Sequence, residues 1–254
     1  MRKILLGSRT LWASDIFSMN DPDEILYGFS DLLPTAMGAG INPPFCRELV
    51  KQEWAKVCVH IACLSNAELH SQWERYANQG TGCAIGFDQS ALKDWCLRHG
   101  ISLFPMSYDR SRQEEMIRRF HRNVDRIFTP GLLKWDSLAA GKTLPEKATT
   151  YLFSLAMTVK TERWREEGEW RILIMQPRNE TLKRKHAFTP LKRDDGVCYF
   201  ALPICSPTLV TEVVIGPRCD ADTEMLRHQL DEAGLSLVNV RHSSCQCPIS
   251  TAGI

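Results

Sequence analysis

Hydrophobic and polar positions change period several times along the chain, and each change predicts an element. Thr10 to Ser14 reads as a short strand, and residues 46–54 as a helix. Between them, residues 31–45 hold Pro34, Gly38, Gly40, Pro43 and Pro44 and read as loop. Val57, Val59 and Ile61 fall on one side of a two-residue alternation within Lys56–Cys63, the pattern of a strand. Ser65-x-x-Glu68 has capping-box spacing and predicts a helix running to about Asn78. Gly82 to Phe87 is nearly all apolar, as expected of a strand buried on both faces. A helix over 89–99 and a strand over 101–108 follow. Residues 111–128 place Met116, Phe120, Val124 and Ile127 at helical spacing opposite Arg118, Arg119, Arg122 and Arg126, an amphipathic helix with a solvated basic side. Residues 146–160 read as helix and Gly168 to Met175 as strand. Residues 177–195, with Lys183-Arg184-Lys185, read as an exposed hairpin or flap. Strands at about 196–204 and 209–215, a helix at 221–232 and a strand at 235–240 finish the chain. Six or seven strands interleave irregularly with about five helices. The expected fold is therefore α+β, one mixed domain over residues 1–254 with a central six- or seven-stranded sheet.

Composition narrows the function classes. The chain has 254 residues, of which 44% are hydrophobic and 24% charged, enough apolar material for a sizeable core. Its 31 basic and 30 acidic residues give a net charge of +1, so no global basic field points to nucleic acid or an anionic membrane. The apolar run near the start stops after Ile4-Leu5-Leu6, too short for a signal peptide, and no stretch has the length of a transmembrane helix. A cytoplasmic protein is expected. Ten cysteines are many, but several sit in apolar runs (Cys58, Cys63, Cys83, Cys198) where a thiol acts as a small hydrophobe. The tail His242-Ser243-Ser244-Cys245-Gln246-Cys247 lacks a second ligand pair, so reduced cysteines and no structural zinc are expected.

Charge concentrates in two short motifs. In Trp164-Arg165-Glu166-Glu167-Gly168-Glu169-Trp170-Arg171, strand alternation would put Glu167, Glu169 and Arg171 on one face, with Trp170, Ile172 and Ile174 on the other. Two carboxylates and a guanidinium are costly to bury together. They are either an ion pair at the strand's start or acid/base and electrostatic groups beside a cleft. In Asn20-Asp21-Pro22-Asp23-Glu24, Pro22 extends the backbone at Asp21, and Asn20 and Asp21 can fix a turn. That turn either opens a helix or presents Asp23 or Glu24 to a site. Glu24, Glu167, Glu169 and Arg171 are expected to converge on one cleft. A third element, Trp73-Glu74-Arg75-Tyr76-Ala77, sets Trp73, Tyr76 and Ala77 on one helical face, with the polar tip of Tyr76 able to reach a site.

Together these elements resemble a large, mainly bacterial family, domain of unknown function family 2971. The resemblance rests on Thr10 to Glu24, Trp73 to Ala77, Gly82 to Asp88 and Trp164 to Arg171, with Val213-Val214-Ile215-Gly216 also fitting. Family members begin with a strand carrying a Tyr/Lys-Tyr-Arg-like signature. This chain starts just after that point, so that either the chain is truncated or Arg2 or Arg9 substitutes. The resemblance supplies a fold and positions rather than a reaction, and such families sit beside phage-defence or toxin genes.

The preferred function class is a transferase acting on a nucleotide cofactor. Ser14 on an early strand followed by Glu167-x-Glu169 is similar to the order of residues in ADP-ribosyltransferases. In those enzymes the last Glu holds the nicotinamide ribose and stabilises an oxocarbenium-like transition state. On that analogy NAD is the cofactor, Ser14, Asn20, Asp21 and Tyr76 would bind it, and Glu169, Glu167, Arg171 and Glu24 would be catalytic. One alternative is a metal-dependent nuclease or hydrolase sharing Mg²⁺ between Asp21, Glu24, Glu167 and Glu169. Another is a non-catalytic ligand- or protein-binding module using Trp73, Trp164 and Trp170. The substrate would be a nucleotide-type small molecule or a macromolecule. Glu169→Gln is expected to leave the fold intact and remove activity, and Glu166→Gln to do little.

Overall fold

The computed structural model describes residues 2–18, 27–32, 57–65, 68–127, 154–177, 188 and 190–245. The helix expected at 46–54, most of the basic flap and the Asn20–Glu24 motif lie outside these residues. Nine strands are described: β1 (Leu11–Asp15), β2 (Val57–Leu64), β3 (Cys83–Phe87), β4 (Ser102–Pro105), β5 (Trp170–Pro177), β6 (Pro190–Lys192), β7 (Cys198–Leu202), β8 (Val210–Ile215) and β9 (Asn239–His242). The longer α-helices are α1 (His70–Tyr76), α2 (Gln89–Arg98), α3 (Arg110–Ile127) and α4 (Thr223–Glu232). The α+β class expected from the sequence is what the chain forms.

Six strands make an antiparallel sheet in the order β4-β5-β2-β1-β7-β6, and three make a second sheet, β3-β8-β9. Ala13, Ala62, Ile172, Ile174, Phe200 and Leu202 line one face of the larger sheet and pack on Leu92, Trp95 and Cys96 of α2. The smaller sheet has its own core, in which Val213, Ile215 and Val240 meet Leu226 and Leu230 of α4 and Leu5 of the N-terminal turn. Burying each such Leu or Ile contributes about 1.5–3 kcal/mol. Period-two alternation finds the strands but does not tell which strands share a sheet, so the split into two sheets is a finding of the structure.

Two helix starts are capped as the sequence chemistry requires. The Asp88 carboxylate accepts from the Ala91 amide at 2.7 Å at the start of α2. Asp222 accepts from the amides of Glu224 and Met225 at the start of α4. The capping box predicted at Ser65 and Glu68 does not form. The helix begins later, at His70, and Leu69 at its N-cap makes no side-chain cap bond. Glu68 instead accepts from Arg241 and Ser243, because a guanidinium offers a carboxylate more than a backbone amide does. β3 is also not buried on both faces: all five of its residues are half-buried. It packs on the second core from one side, and its other side forms the wall of a cleft. α3 forms where a helix was expected, but its buried residues are Gln113 and Ile117, whereas Met116 of the expected apolar face is half-buried; on its basic side Arg118 pairs with Glu114 and Arg122 with Glu115.

Candidate functional site

A cleft of about 1000 Å³ opens where the start of β1, the end of β2 and the start of β5 meet the inner edge of the smaller sheet. Its floor is built by one short stretch of chain. The helix expected over 146–160 gives way after Ala156: Val159 bridges Ser107 in parallel, and the Lys160 amide donates to the Ser107 carbonyl at 3.0 Å. The β-branched Thr158, Val159 and Thr161 around Lys160 explain this, since branched side chains lose freedom in a helix and fit an extended strand. Glu162–Glu167 then forms a 3-10 turn that ends at Gly168 in the left-handed region, φ 51°. Glu167 is therefore not on the strand. The turn, not strand alternation, aims Glu167 at the same point as Glu169.

That point is the ammonium of Lys160, whose Nζ donates to Glu167 Oε2 at 2.5 Å and to Glu169 Oε2 at 2.7 Å. On the other side of Glu169, Arg171 Nε donates to Oε1 at 2.5 Å, and Arg171 Nη1 donates to the Met157 carbonyl at 3.3 Å. Lys160, Glu167, Glu169 and Arg171 are 6%, 7%, 4% and 3% exposed, so two cations and two carboxylates sit almost out of water and sum to zero charge. Removing such groups from water costs several kcal/mol per ion, and close mutual pairing is what offsets it. Burial alone would push the Glu169 carboxyl up. Arg171 and Lys160 reverse this and hold it below the ordinary carboxylate range.

Surrounding residues hold this quartet in place. The Gln113 amide, fully buried, donates to the carbonyls of Ser107 at 2.5 Å and Lys160 at 2.8 Å, while its oxygen accepts from the Tyr27 hydroxyl. The Glu169 amide donates to the Tyr108 hydroxyl at 2.9 Å. Trp164 lies beneath three cations, with Arg75, Arg163 and Lys160 at 4.6, 5.1 and 5.2 Å from its ring centre. Both oxygens of Glu169 are taken by cations. Glu167 differs: among the described residues its Oε1 makes a long 3.8 Å contact to the half-exposed Arg75, and Glu167 lines the cleft.

Of the residues predicted from sequence, Glu167, Glu169 and Arg171 come together, and Ser14 and Tyr76 line the same cleft. Tyr76 does not share a buried face with Trp73: it is 66% exposed where Trp73 is 2% exposed. Asn20, Asp21 and Glu24 lie outside the described residues. Lys160, Gln113 and Tyr108 were not read from the sequence. The β-branched flanks of Lys160 were the one signal that could have freed it from a helix; a Gln and a Tyr carry none. The opposite wall carries a second ionic cluster, in which Arg241 of β9 pairs with Glu68 at 2.6 Å and Glu212 of β8 at 2.9 Å. No three His, Cys, Asp or Glu side chains group as a metal site among the described residues.

Residues 72–172 match the model of a family described as protein of unknown function, DUF2971. The match covers 101 of the 254 residues. This supports the family resemblance read from the motifs. The matched segment holds Arg75, Tyr108, Gln113 and the whole Lys160–Glu167–Glu169–Arg171 floor, whereas the walls supplied by β1, β8 and β9 lie outside it. No curated protein and no solved structure matches the chain. No helix among the described residues is long and apolar enough to cross a membrane.

Proposed function

We propose that the cleft binds a nucleotide-type ligand, NAD in the first instance, and that the protein is an ADP-ribosyl- or glycosyl-transferring enzyme. The observation that carries this reading is the fixed, buried carboxylate pair at the floor of a cleft of about 1000 Å³. That volume is at the upper end of small-molecule sites, about 300–1,000 Å³, and suits a dinucleotide. Glycosyl transfer from such a donor builds positive charge at the ribose carbon. A preorganised carboxylate in a water-poor site stabilises that charge without reorganising.

The geometry supports giving the principal role to Glu167 rather than Glu169. Glu169 is saturated by Lys160 and Arg171 and acts as the positioning partner that keeps Lys160 in place. Glu167 has the oxygen that can meet the ligand. Ser14 and Tyr76, on the same cleft, are the ligand-contacting candidates. A Mg²⁺ ion at these carboxylates would have to compete with Lys160 for both of them, so the geometry favours the nucleotide reading over the metal-dependent one.

The test is nicotinamide release from NAD by the purified chain and by Glu167→Gln. The expected result is release by the parent protein and a loss of about a hundredfold in the variant, the usual cost of one electrostatic contact in a transition state. A parent protein that neither releases nicotinamide nor is thermally stabilised by NAD, but is stabilised by Mg²⁺, would overturn the proposal.

A further inference from the structure

Trp12 is a large aromatic side chain left 46% exposed on β1, whose other residues are half-buried except for the buried Ala13. It lines the same cleft as Lys160 and Glu167. It is not loose on the surface, because its ring packs on Tyr199 of β7 with centres 4.6 Å apart and planes at 37°. That contact holds the indole from one side, and nearly half of the residue stays exposed.

Strand register locates Trp12 relative to the ionic floor. β1 and β2 pair at Ser14 with Ile61 and at Asp15 with His60, and the same register carried two residues beyond these pairs sets Trp12 level with Cys63. Cys63 in turn pairs with Arg171 on β5. Residues opposite one another in a ladder share a face. Trp12, Cys63 and Arg171 therefore form one row across three adjacent strands, and two interstrand spacings, about 10 Å, separate its ends. The middle of the row is a small side chain, exposed to the cleft. The sheet thus presents a flat aromatic at one end and a shallow low centre, and the row ends at the buried Arg171, whose partner Glu169 lines the cleft beside Lys160 and Glu167.

We infer that Trp12, backed by Tyr199, is a stacking platform for the heteroaromatic ring of the ligand, which lies along this row with its charged and ribosyl portion over the Glu167–Lys160 floor. The inference rests on the nucleotide reading of the cleft and adds to it the subsite that takes the base. A planar ring stacks on an indole whatever its hydrogen-bonding edge, so this subsite selects for a flat heterocycle more than for a particular base.

Calorimetric binding of NAD, AMP and ribose 5-phosphate to the purified chain and to Trp12→Ala and Trp12→Phe tests this. Stacking on one aromatic is expected to make Trp12→Ala about 5- to 150-fold weaker for NAD and AMP. Trp12→Phe should keep most of the affinity, and ribose 5-phosphate, which has no ring to stack, should bind all three proteins alike. Should Trp12→Ala fail to fold, alkylation of Cys63 in the parent protein, read by peptide mass spectrometry, serves instead: NAD lying along the row slows it. Wild-type affinity for NAD in a folded Trp12→Ala, or unchanged Cys63 alkylation under NAD, overturns the platform and leaves the nucleotide reading standing. A parent protein that binds neither NAD nor AMP removes the nucleotide reading itself, and the platform with it.

Discussion

Replacing Glu169 by Gln takes a negative charge from between Lys160 and Arg171, both almost fully buried. The sequence alone suggested that this change would spare the fold. The geometry gives a different expectation, because breaking one partner of a buried ion pair costs about 3–5 kcal/mol. Urea unfolding of Glu169→Gln should show a loss of that size, while Glu166→Gln, exposed on the 3-10 turn, should stay within about 0.5 kcal/mol. The pH dependence has a definite sign. Because Glu169 is held below the ordinary carboxylate range in the folded state, its contribution is complete above the unfolded value of about 4.3 and is lost as pH falls from there through the lower folded value. In a series of unfolding curves between pH 6 and pH 3, the gap between parent and variant should therefore narrow toward the acid end. If the gap between them stays constant into acid, Glu169 is not the ionised partner described here. What the sequence displayed at this scale was the cluster Glu167, Glu169 and Arg171. What it concealed was Lys160, nine residues before Glu169 and assigned to a helix, because pairing across a turn leaves no periodic trace.

At the scale of elements, two glycines decide how the site and the second sheet are joined. Gly168 links the 3-10 turn to β5 at φ 51°, with open space where a side chain would sit. Gly168→Ala should cost about 1–2 kcal/mol from conformation alone, without a clash. Gly168→Asn should recover part of it, because Asn tolerates this region. Gly216 follows β8, and its amide donates to the Gly82 carbonyl at 2.9 Å. A Cβ there would stand 2.3 Å from the Gly80 oxygen and 2.5 Å from the Gly82 oxygen, so Gly216→Ala must displace backbone. It should be the more damaging of the two, and melting temperatures of both variants check the order. Element types were largely legible in advance, since β2, α2, α3, β8 and α4 all follow from periodicity and caps. The late start of α1 was not, because the Glu68 side chain that would have capped it bonds Arg241, 173 residues away in sequence.

For the whole molecule, the consequence of two separate cores is that contacts across the cleft couple them. Arg241 on β9 reaches Glu68, which follows β2, so one ion pair connects the smaller sheet to the chain leaving the larger one. Both partners are about one-third exposed, which screens the pair, and Arg241→Ala is expected to cost no more than about 1 kcal/mol. That is a drop of about 2–4 °C in Tm, shrinking as salt is added. A salt-independent drop would assign Arg241 a packing role instead. The thiols report on the cores directly. Burial pushes Cys96 and Cys205 up to about 11, so both should resist alkylation at pH 8 in the folded protein, while the exposed Cys63 and Cys198 react.

The charged floor spans only residues 160 to 171, so the loop that must close to assemble it is short. Loop-closure entropy grows with loop length, and a twelve-residue excursion carries little of it. Lys160, Glu167, Glu169 and Arg171 thus behave as a cassette whose internal geometry depends on its own turn and on Gln113. The walls come from distant β1, β8 and β9. If the proposed function holds, exchanging wall residues should retune which ligand is accepted while leaving the charges of the floor where they are.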